Sequence, residues 1–389
     1  MFNTELGLFC YMHDDWEELL TQEPYYLKIK EDGPYVIFNY DQIRSDFNNP
    51  IVREARGIIF KKGDFSHPVC WAFNKFGNYG ESYVPDIDWS TAFVTEKIDG
   101  SLMKVWWDWD NGWHISTNGT IDAFKAELSD VKMSNFGAYF EKAIEQCCSS
   151  NFDDFVENLD FDCTYMFELV GPYNRVVIPY EEPAIIFLGA RNKFTSEEFT
   201  CDAVTMERLG VHRVGRPAQY SLSTLDDCIK AAELKSWDEE GFVVCDKNFN
   251  RVKIKSPSYV LAHFMRNNNV ITRKHLIRVI ISGEVEEFLC YAKDYTDCLR
   301  DTQKLINAYY HIGSSLVTSC RKARNMSRSD YAELVKTFPK IFHGLLFFNY
   351  EKDMSVEEYT SGWTENKWEE YLESVEKLKI AYFDDGGIR

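Results

Sequence analysis

No two of the eleven cysteines in this 389-residue chain are spaced as CxxC, and the one adjacent pair is Cys147-Cys148. An odd count without a paired framework argues against both a disulfide scaffold and a structural zinc site, so the thiols are expected to be reduced and buried. No apolar run approaches the length needed to span a bilayer, and none near the start has the flanks of a signal peptide. A soluble, cytoplasmic protein with no membrane partner is therefore expected. There is no GxxxxGK(S/T) loop, so P-loop chemistry is not indicated, and no Cys/His spacing suits metal-dependent hydrolysis. Positive charge is scarce: 43 Lys and Arg stand against 62 Asp and Glu, for a net charge of −19. That excludes broad, nonspecific adhesion to nucleic acid but leaves room for a localised basic groove. Internal repeats, low-complexity tracts and Pro/Gly-rich linkers are also missing.

What is present suffices for a large core, with 45% hydrophobic and 15% aromatic residues, and the length suggests two domains. The texture changes near Pro257, from period-two alternation to helical spacing, which divides the chain into 1–256 and 257–389. In the first part, Tyr35 to Phe38 reads as a strand, and Arg53-Glu54-Ala55-Arg56-Gly57 leads into the apolar strand Ile58 to Phe60. Arg56 is either a surface ion-pair partner or a fork onto phosphate oxygens, and Lys75 is a second cation able to reach the same anion. Glu96-Lys97-Ile98-Asp99-Gly100-Ser101 reads as a strand end and tight turn opening a hairpin, its return centred on Asn111-Gly112. A lysine in that place is presented rather than buried, and its free amine can attack a phosphoryl group.

Residues 120–158 read as helical, with Ala123, Leu128 and Val131 and later Phe140, Ala143 and Ile144 at helical spacing. Asp162 to Val170 alternates, and Glu168 in its middle is costly unless it meets a partner, a ligand or solvent. Pro183 to Ala190 reads as a strand buried on both faces and ending at Arg191, and 222–235 as an amphipathic helix. A second hairpin runs from Glu240-Gly241-Phe242-Val243-Val244 to Arg251-Val252-Lys253-Ile254-Lys255, which puts Lys253 and Lys255 side by side on one face. Such a pair is either solvated or turned toward an anion. Beyond 257, helices are expected at 272–281, 285–308 and 329–348, with a Ser355-Glu358 capping box and a stripe of Trp368, Tyr371, Leu372, Val375 and Leu378 on a last helix. Arg266, Arg273, Lys274 and Arg278, with Arg321, Lys322, Arg324 and Arg328, form local basic clusters, either solvated faces or contacts to an RNA backbone.

A lysine nucleophile, two strand carboxylates (Glu168, Glu240) and four cations (Arg56, Lys75, Lys253, Lys255) are the inventory for attack of an amine on the α-phosphate of a nucleotide, since phosphoryl transfer is mostly positioning and charge neutralisation. Their order resembles the motifs of covalent nucleotidyltransferases: Lys97-Ile98-Asp99-Gly100-Ser101, Phe167-Glu168-Leu169-Val170, Glu240-Gly241-Phe242-Val243-Val244, then Val252-Lys253-Ile254-Lys255. With Arg56-Gly57-Ile58-Ile59-Phe60, Lys75-Phe76, Pro172 to Val177 and Ser256 to Val260, the pattern resembles the phage RNA ligase 1 family over most of the chain. The resemblance implies an α+β fold, with a nucleotidyltransferase (ATP-grasp-like ligase) core of antiparallel sheets flanked by helices, plus an all-helical C-terminal domain.

It also implies an ATP-dependent RNA ligase using ATP and Mg2+ or Mn2+. Lys97 would carry AMP, pass it to an RNA 5′-phosphate, and a 3′-hydroxyl would then displace it. By position, Glu96 would lie in the nucleotide site, Glu168 on the ribose, Glu240 on a divalent metal, Lys253 and Lys255 on the α-phosphate, and Arg56 and Lys75 on the outgoing phosphates. Asp99 would orient the nucleophile, and Lys104 and Arg191 are weaker candidates. Implied partners are RNA with 5′-phosphate and 3′-hydroxyl ends, nicked tRNA included, and an end-healing kinase/phosphatase acting earlier, with the ligase a monomer in a host cytoplasm. One departure is visible, Thr117-Asn118-Gly119 where the family often has a Ser-Lys-Gly turn. A DNA ligase or capping guanylyltransferase would share the core but continue into a strand-rich barrel. A non-catalytic RNA-binding relative would have no reason to retain the whole set of charged residues.

Overall fold

The computed structural model describes residues 2–128, 132–265, 271–352 and 354–383. The chain packs as two compact units, Met1–His263 and Phe264–Arg389. The helix Pro257–Met265 carries the chain out of the first unit, so the division falls inside that helix rather than at its start.

The first unit is built on antiparallel sheets. A three-stranded sheet joins β1 (Lys28–Asp32), β2 (Tyr35–Asn39) and β3 (Arg56–Lys61) in that order. A four-stranded sheet has the order β10 (Gln219–Tyr220), β4 (Phe93–Glu96), β11 (Gly241–Cys245), β12 (Arg251–Lys255). A five-stranded sheet has the order β6 (Gly112–Thr117), β5 (Ser101–Asp108), β7 (Cys163–Val170), β8 (Ala184–Asn192), β9 (Glu198–Phe199). The helix Phe136–Cys148 covers the five-stranded sheet, placing Tyr139, Phe140, Ala143 and Ile144 among Val105, Tyr165, Phe167 and Phe187 in one core. Each such large apolar side chain contributes about 1.5–3 kcal/mol on full burial. The helix Leu225–Glu233, capped by Thr224, does the same for the four-stranded sheet with Cys228 and Ala232.

Two expectations change in the first unit and one open alternative closes. The hairpin after Lys97 forms, β5 returning through Asn111-Gly112 as β6, but residues 97–100 are not a tight turn within one sheet: β4 pairs with β10 and β11 and β5 with β6 and β7, so this segment crosses from one sheet to another. Gly100 is there for close approach, because a Cβ on it would sit 2.4 Å from the Leu169 carbonyl oxygen. Second, residues 120–158 are not one helical stretch. Asp122 caps a single 3-10 turn at Ala123–Lys125, and helices form only at Phe136–Cys148 and Phe152–Val156, each started by an asparagine cap. Val131 lies outside the described residues. Of the alternatives left open for Glu168, an open strand face in solvent falls away. β7 is an interior strand with both faces covered, and within it only Glu168 retains some exposure.

The second unit is helical: Arg273–Ser282, Val285–Tyr291, Thr296–Cys320, Arg328–Lys336, His343–Lys352, Val356–Thr360 and Glu365–Phe383. The 285–308 and 329–348 expectations each break in two, the second of them at Pro339, which cannot continue a helix. The Ser355-Glu358 box forms, and Trp368, Leu372 and Val375 are buried, whereas the Leu378 side chain lies outside the described residues. Arg273, Lys274 and Arg278 reach across to Glu369, Glu376 and Glu365 of the last helix, and Arg328 to Glu351. Much of that basic cluster is thus spent on helix pairing, and Arg266 lies outside the described residues.

Candidate active site

A cavity of about 320 Å3 opens between the four- and five-stranded sheets of the first unit. Because 97–100 is the crossover between those sheets, Lys97 and Gly100 line it from the same side. The Lys97 ammonium is 2.7 Å from the Glu240 Oε1. Its backbone is held there as well, its N–H donating to the Gly241 carbonyl at 2.9 Å. Glu240 is 4% exposed, and its backbone carbonyl accepts from Ser256 N–H at 2.8 Å. Gly241 has φ +135°, and a Cβ on it would meet the Ile254 carbonyl oxygen at 2.2 Å, so only glycine lets the chain turn Glu240 inward at this point.

On β12, Val252 and Ile254 are buried in the sheet's core while Lys253 and Lys255 share the opposite face. Lys253 lines the cavity with its ammonium 5.3 Å from the centre of the Phe76 ring, and Lys255 stands 3.7 Å from Glu240 Oε1. Arg56, at the start of β3, lines the cavity and donates to the Phe73 carbonyl at 3.4 Å. Glu168 faces the same space from β7. Burial pushes its carboxyl up to about 8, against the attraction of Lys97 and with further repulsion from Glu240. Glu96 lines the cavity from the end of β4, its backbone N–H bonded to the Ala218 carbonyl at 2.7 Å.

Four candidates are off this cavity's wall: Glu240 and Lys255, which adjoin Lys97 as described without lining the hollow, and Asp99 and Lys75, which face elsewhere. Asp99 is buried and faces its own scaffold: one carboxylate oxygen accepts from Val177 and Ile178 N–H at 2.9 and 2.8 Å, the other from the Tyr259 hydroxyl at 2.8 Å. It ties the crossover to the Pro172–Val177 loop and to the helix after β12. Lys75 does not line this cavity. It lies in a neighbouring one, its ammonium between the Tyr40 and Phe47 rings at 5.1 and 4.9 Å. Lys104 and Arg191 are also absent from the first cavity's wall. Lys104 is fully buried, donates to the Gly57 carbonyl, and is pushed below the usual lysine range by burial and then by the like charge of Arg56.

Arg251 was not singled out from sequence, yet it lines both cavities. The signal was available, since period two puts it on the same face as Lys253 and Lys255. Asn118, in the departing turn, is part of the first cavity's wall, and its buried Oδ1 has no hydrogen-bond partner.

The arrangement provides an amine, carboxylates and guanidinium and ammonium groups around one hollow. Residues 54–259 match the sequence model of the RNA ligase family. The chain belongs to that family. Among known relatives, it is 29% identical over 320 residues to a protein of Autographa californica nuclear polyhedrosis virus named as a bifunctional polynucleotide kinase/RNA ligase, covering 78% of this chain and 44% of that protein. It is 26% identical over 316 residues to an RNA ligase of Rhodothermus phage RM378, covering 67% of this chain and 70% of that one. The chain thus spans less than half of the baculovirus relative. Among solved structures, an archaeal ATP-dependent RNA ligase aligns with a TM-score of 0.45 at 13% identity, over 77% of this chain and 78% of that one. Of the charged residues quoted in the motifs, Arg56, Glu96, Lys97, Glu168 and Lys253 line the first cavity.

Proposed function

We propose that the chain is an ATP-dependent RNA ligase that joins RNA 5′-phosphate and 3′-hydroxyl ends through AMP carried on Lys97. The observation that carries this reading is the placing of the Lys97 amine at the cavity wall, 2.7 Å from a buried carboxylate, with Arg56 and Lys253 lining the same space. In the arrangement observed, Glu240 holds the side chain of Lys97 in position. Attack requires the free amine, directed at an α-phosphate whose charge Arg56, Lys253 and Lys255 neutralise as the pyrophosphate leaves. Glu168, in its neutral form at pH 7, would offer a hydrogen-bond donor to the nucleotide. Asp99 acts as a positioning residue through the Val177 loop and Tyr259.

A divalent ion fits this site in a limited way. Among the described residues no group of three or more His, Cys, Asp and Glu side chains is placed to share one. The buried Glu240 Oε2, however, has no hydrogen-bond partner. One carboxylate together with substrate phosphates suits Mg2+ or Mn2+, which would supply further neutralisation of phosphate charge when bound. No helix among the described residues is long and apolar enough to cross a membrane. The natural substrate is proposed to be broken RNA, tRNA included, after separate healing of its ends by a kinase/phosphatase. The helical second unit is proposed to choose the RNA.

Incubation with α-labelled ATP and Mg2+, followed by denaturing electrophoresis, tests the reading. Label should stay on the protein, persist in excess GTP and vanish in Lys97→Ala. Label on Lys97→Ala, or none on the wild type, overturns it. Matched RNA and DNA strands separate an RNA from a DNA ligase, equal sealing of nicked duplex DNA favouring the latter.

A further inference from the structure

A second cavity of about 340 Å3 adjoins the first, sharing Phe76 and Arg251 as a common wall. Its charged lining is one-sided for so acidic a chain: Arg53, Lys75, Arg191 and Arg251 against the single carboxylate of Glu198. Arg191 and Arg251 both ion-pair with that carboxylate, Arg251 at 2.6 Å, and a further carboxylate acting on Arg191 is the buried Glu54, outside the cavity's lining, whose own ionisation burial disfavours. Both arginines are held rigidly. Arg191 stacks 4.1 Å over the Trp71 ring and donates to Asn74 Oδ1 at 3.0 Å, and Arg251 stacks 4.3 Å over Phe73. Arg191 is 4% exposed, yet its Nε–H has no acceptor. Neither Arg53 nor Lys75 is in an ion pair among the described residues.

A buried donor without a partner, and excess buried positive charge, both cost stability unless something at the site repays them. Planar guanidinium edges and an ammonium around a hollow of this size are suited to the tetrahedral oxygens of a phosphate group. We propose that this second cavity is a phosphate-binding site beside the adenylylation cavity, with Arg191 and Arg251 as its floor and Arg53 and Lys75 as its rim. The proposal rests on the ligase reading for the source of that phosphate. The reaction handles two, the pyrophosphate released from ATP and the backbone phosphates of the RNA strand.

Calorimetric titration of the full chain tests it without turnover. Wild type, Arg53→Gln and Lys75→Met are each titrated with inorganic pyrophosphate and, separately, with a 5′-phosphorylated oligoribonucleotide. Both variants are expected to weaken at least one of these ligands about tenfold, and to flatten the salt dependence by about one phosphate contact if that ligand is the RNA. A loss confined to pyrophosphate assigns the site to the leaving group, and a loss confined to the oligonucleotide assigns it to the strand. Wild-type affinities for both ligands in both variants, or no binding of either ligand by the wild type, overturns the proposal. Thermal melts show whether the variants are folded; if they melt early, Arg251→Lys, which keeps the charge but not the planar fork, takes their place under the same criteria. Failure of ATP labelling would remove the ligase reading while leaving this binding result to stand or fall alone.

Discussion

Glu168→Gln tests the electrostatics of the cavity through stability. Burial lifts the Glu168 carboxyl from its ordinary value of 4.5 to about 8. A group whose value is raised on folding favours the folded state while protonated. That contribution is fully present below 4.5 and is lost as pH climbs through about 8. At 1.36 kcal/mol per pH unit the gap sets a ceiling of roughly 5 kcal/mol. Glu168 faces a cavity and keeps some exposure, so water screens part of this, and about 2 kcal/mol is the working expectation. For a unit of this size that corresponds to about 4–8 °C in melting temperature. Glutamine mimics the neutral acid at every pH. Wild type and variant should therefore melt close together near pH 5, diverge up to about pH 8 and keep a constant gap from there to pH 9, with the variant the more stable. Melting curves followed by fluorescence across the full range decide the matter: an offset between the two proteins that is constant throughout it would show that the carboxyl ionises normally and that the cavity does not desolvate it.

Other perturbations report on the supports around the site. Asp99→Asn removes the charge from the oxygen that Val177 and Ile178 N–H share and turns an amide NH2 toward the Tyr259 hydroxyl, and should cost about 2–3 kcal/mol in thermal unfolding, whereas Tyr259→Phe, which removes the hydroxyl's bond to Asp99, should cost about 1 kcal/mol. Equal effects would contradict the assigned geometry. Gly241→Ala places a methyl against the Ile254 carbonyl and holds alanine at φ +135°, so a loss of about 2 kcal/mol or more is expected, together with loss of ATP labelling as Glu240 shifts. Lys104→Met removes a buried ammonium for which no carboxylate partner is found among the described residues. Its melting temperature should not fall below wild type at neutral pH, because relief of charge burial offsets the Gly57 carbonyl left without a donor. A drop of several degrees would mean that the ammonium is compensated in place.

Much of the site was legible locally because it lies on strands. Alternation alone places Lys253 and Lys255 opposite Val252 and Ile254, and the Asn111-Gly112 turn marks the β5–β6 return correctly. At Glu168 alternation left partner, ligand and solvent open, because it does not show that two cores, one on each face, cover β7. Apolar residues at 123, 128 and 131 matched a helical period, but Asp122 caps only one short turn and the next cap is at Asn135. Lys75 was grouped with Arg56 because both are cations ahead of the nucleophile, yet the Phe76 ring is a wall common to two cavities and Lys75 lies in the second.

Composition and spacing by themselves determined which residue types could perform phosphoryl chemistry, which faces of 241–255 are buried, and that the chain turns helical after 257. The order of those motifs gave the resemblance that the family match over residues 54–259 bears out. Only the tertiary structure decided that β4 and β5, neighbours in sequence, belong to different sheets, and that Lys97 therefore bridges them and meets Glu240. Strand partners are selected by burial summed over the whole unit, and no local period encodes that sum. A lysine's position in the chain can suggest a nucleophile, but the carboxylate it faces depends on which sheets close around it.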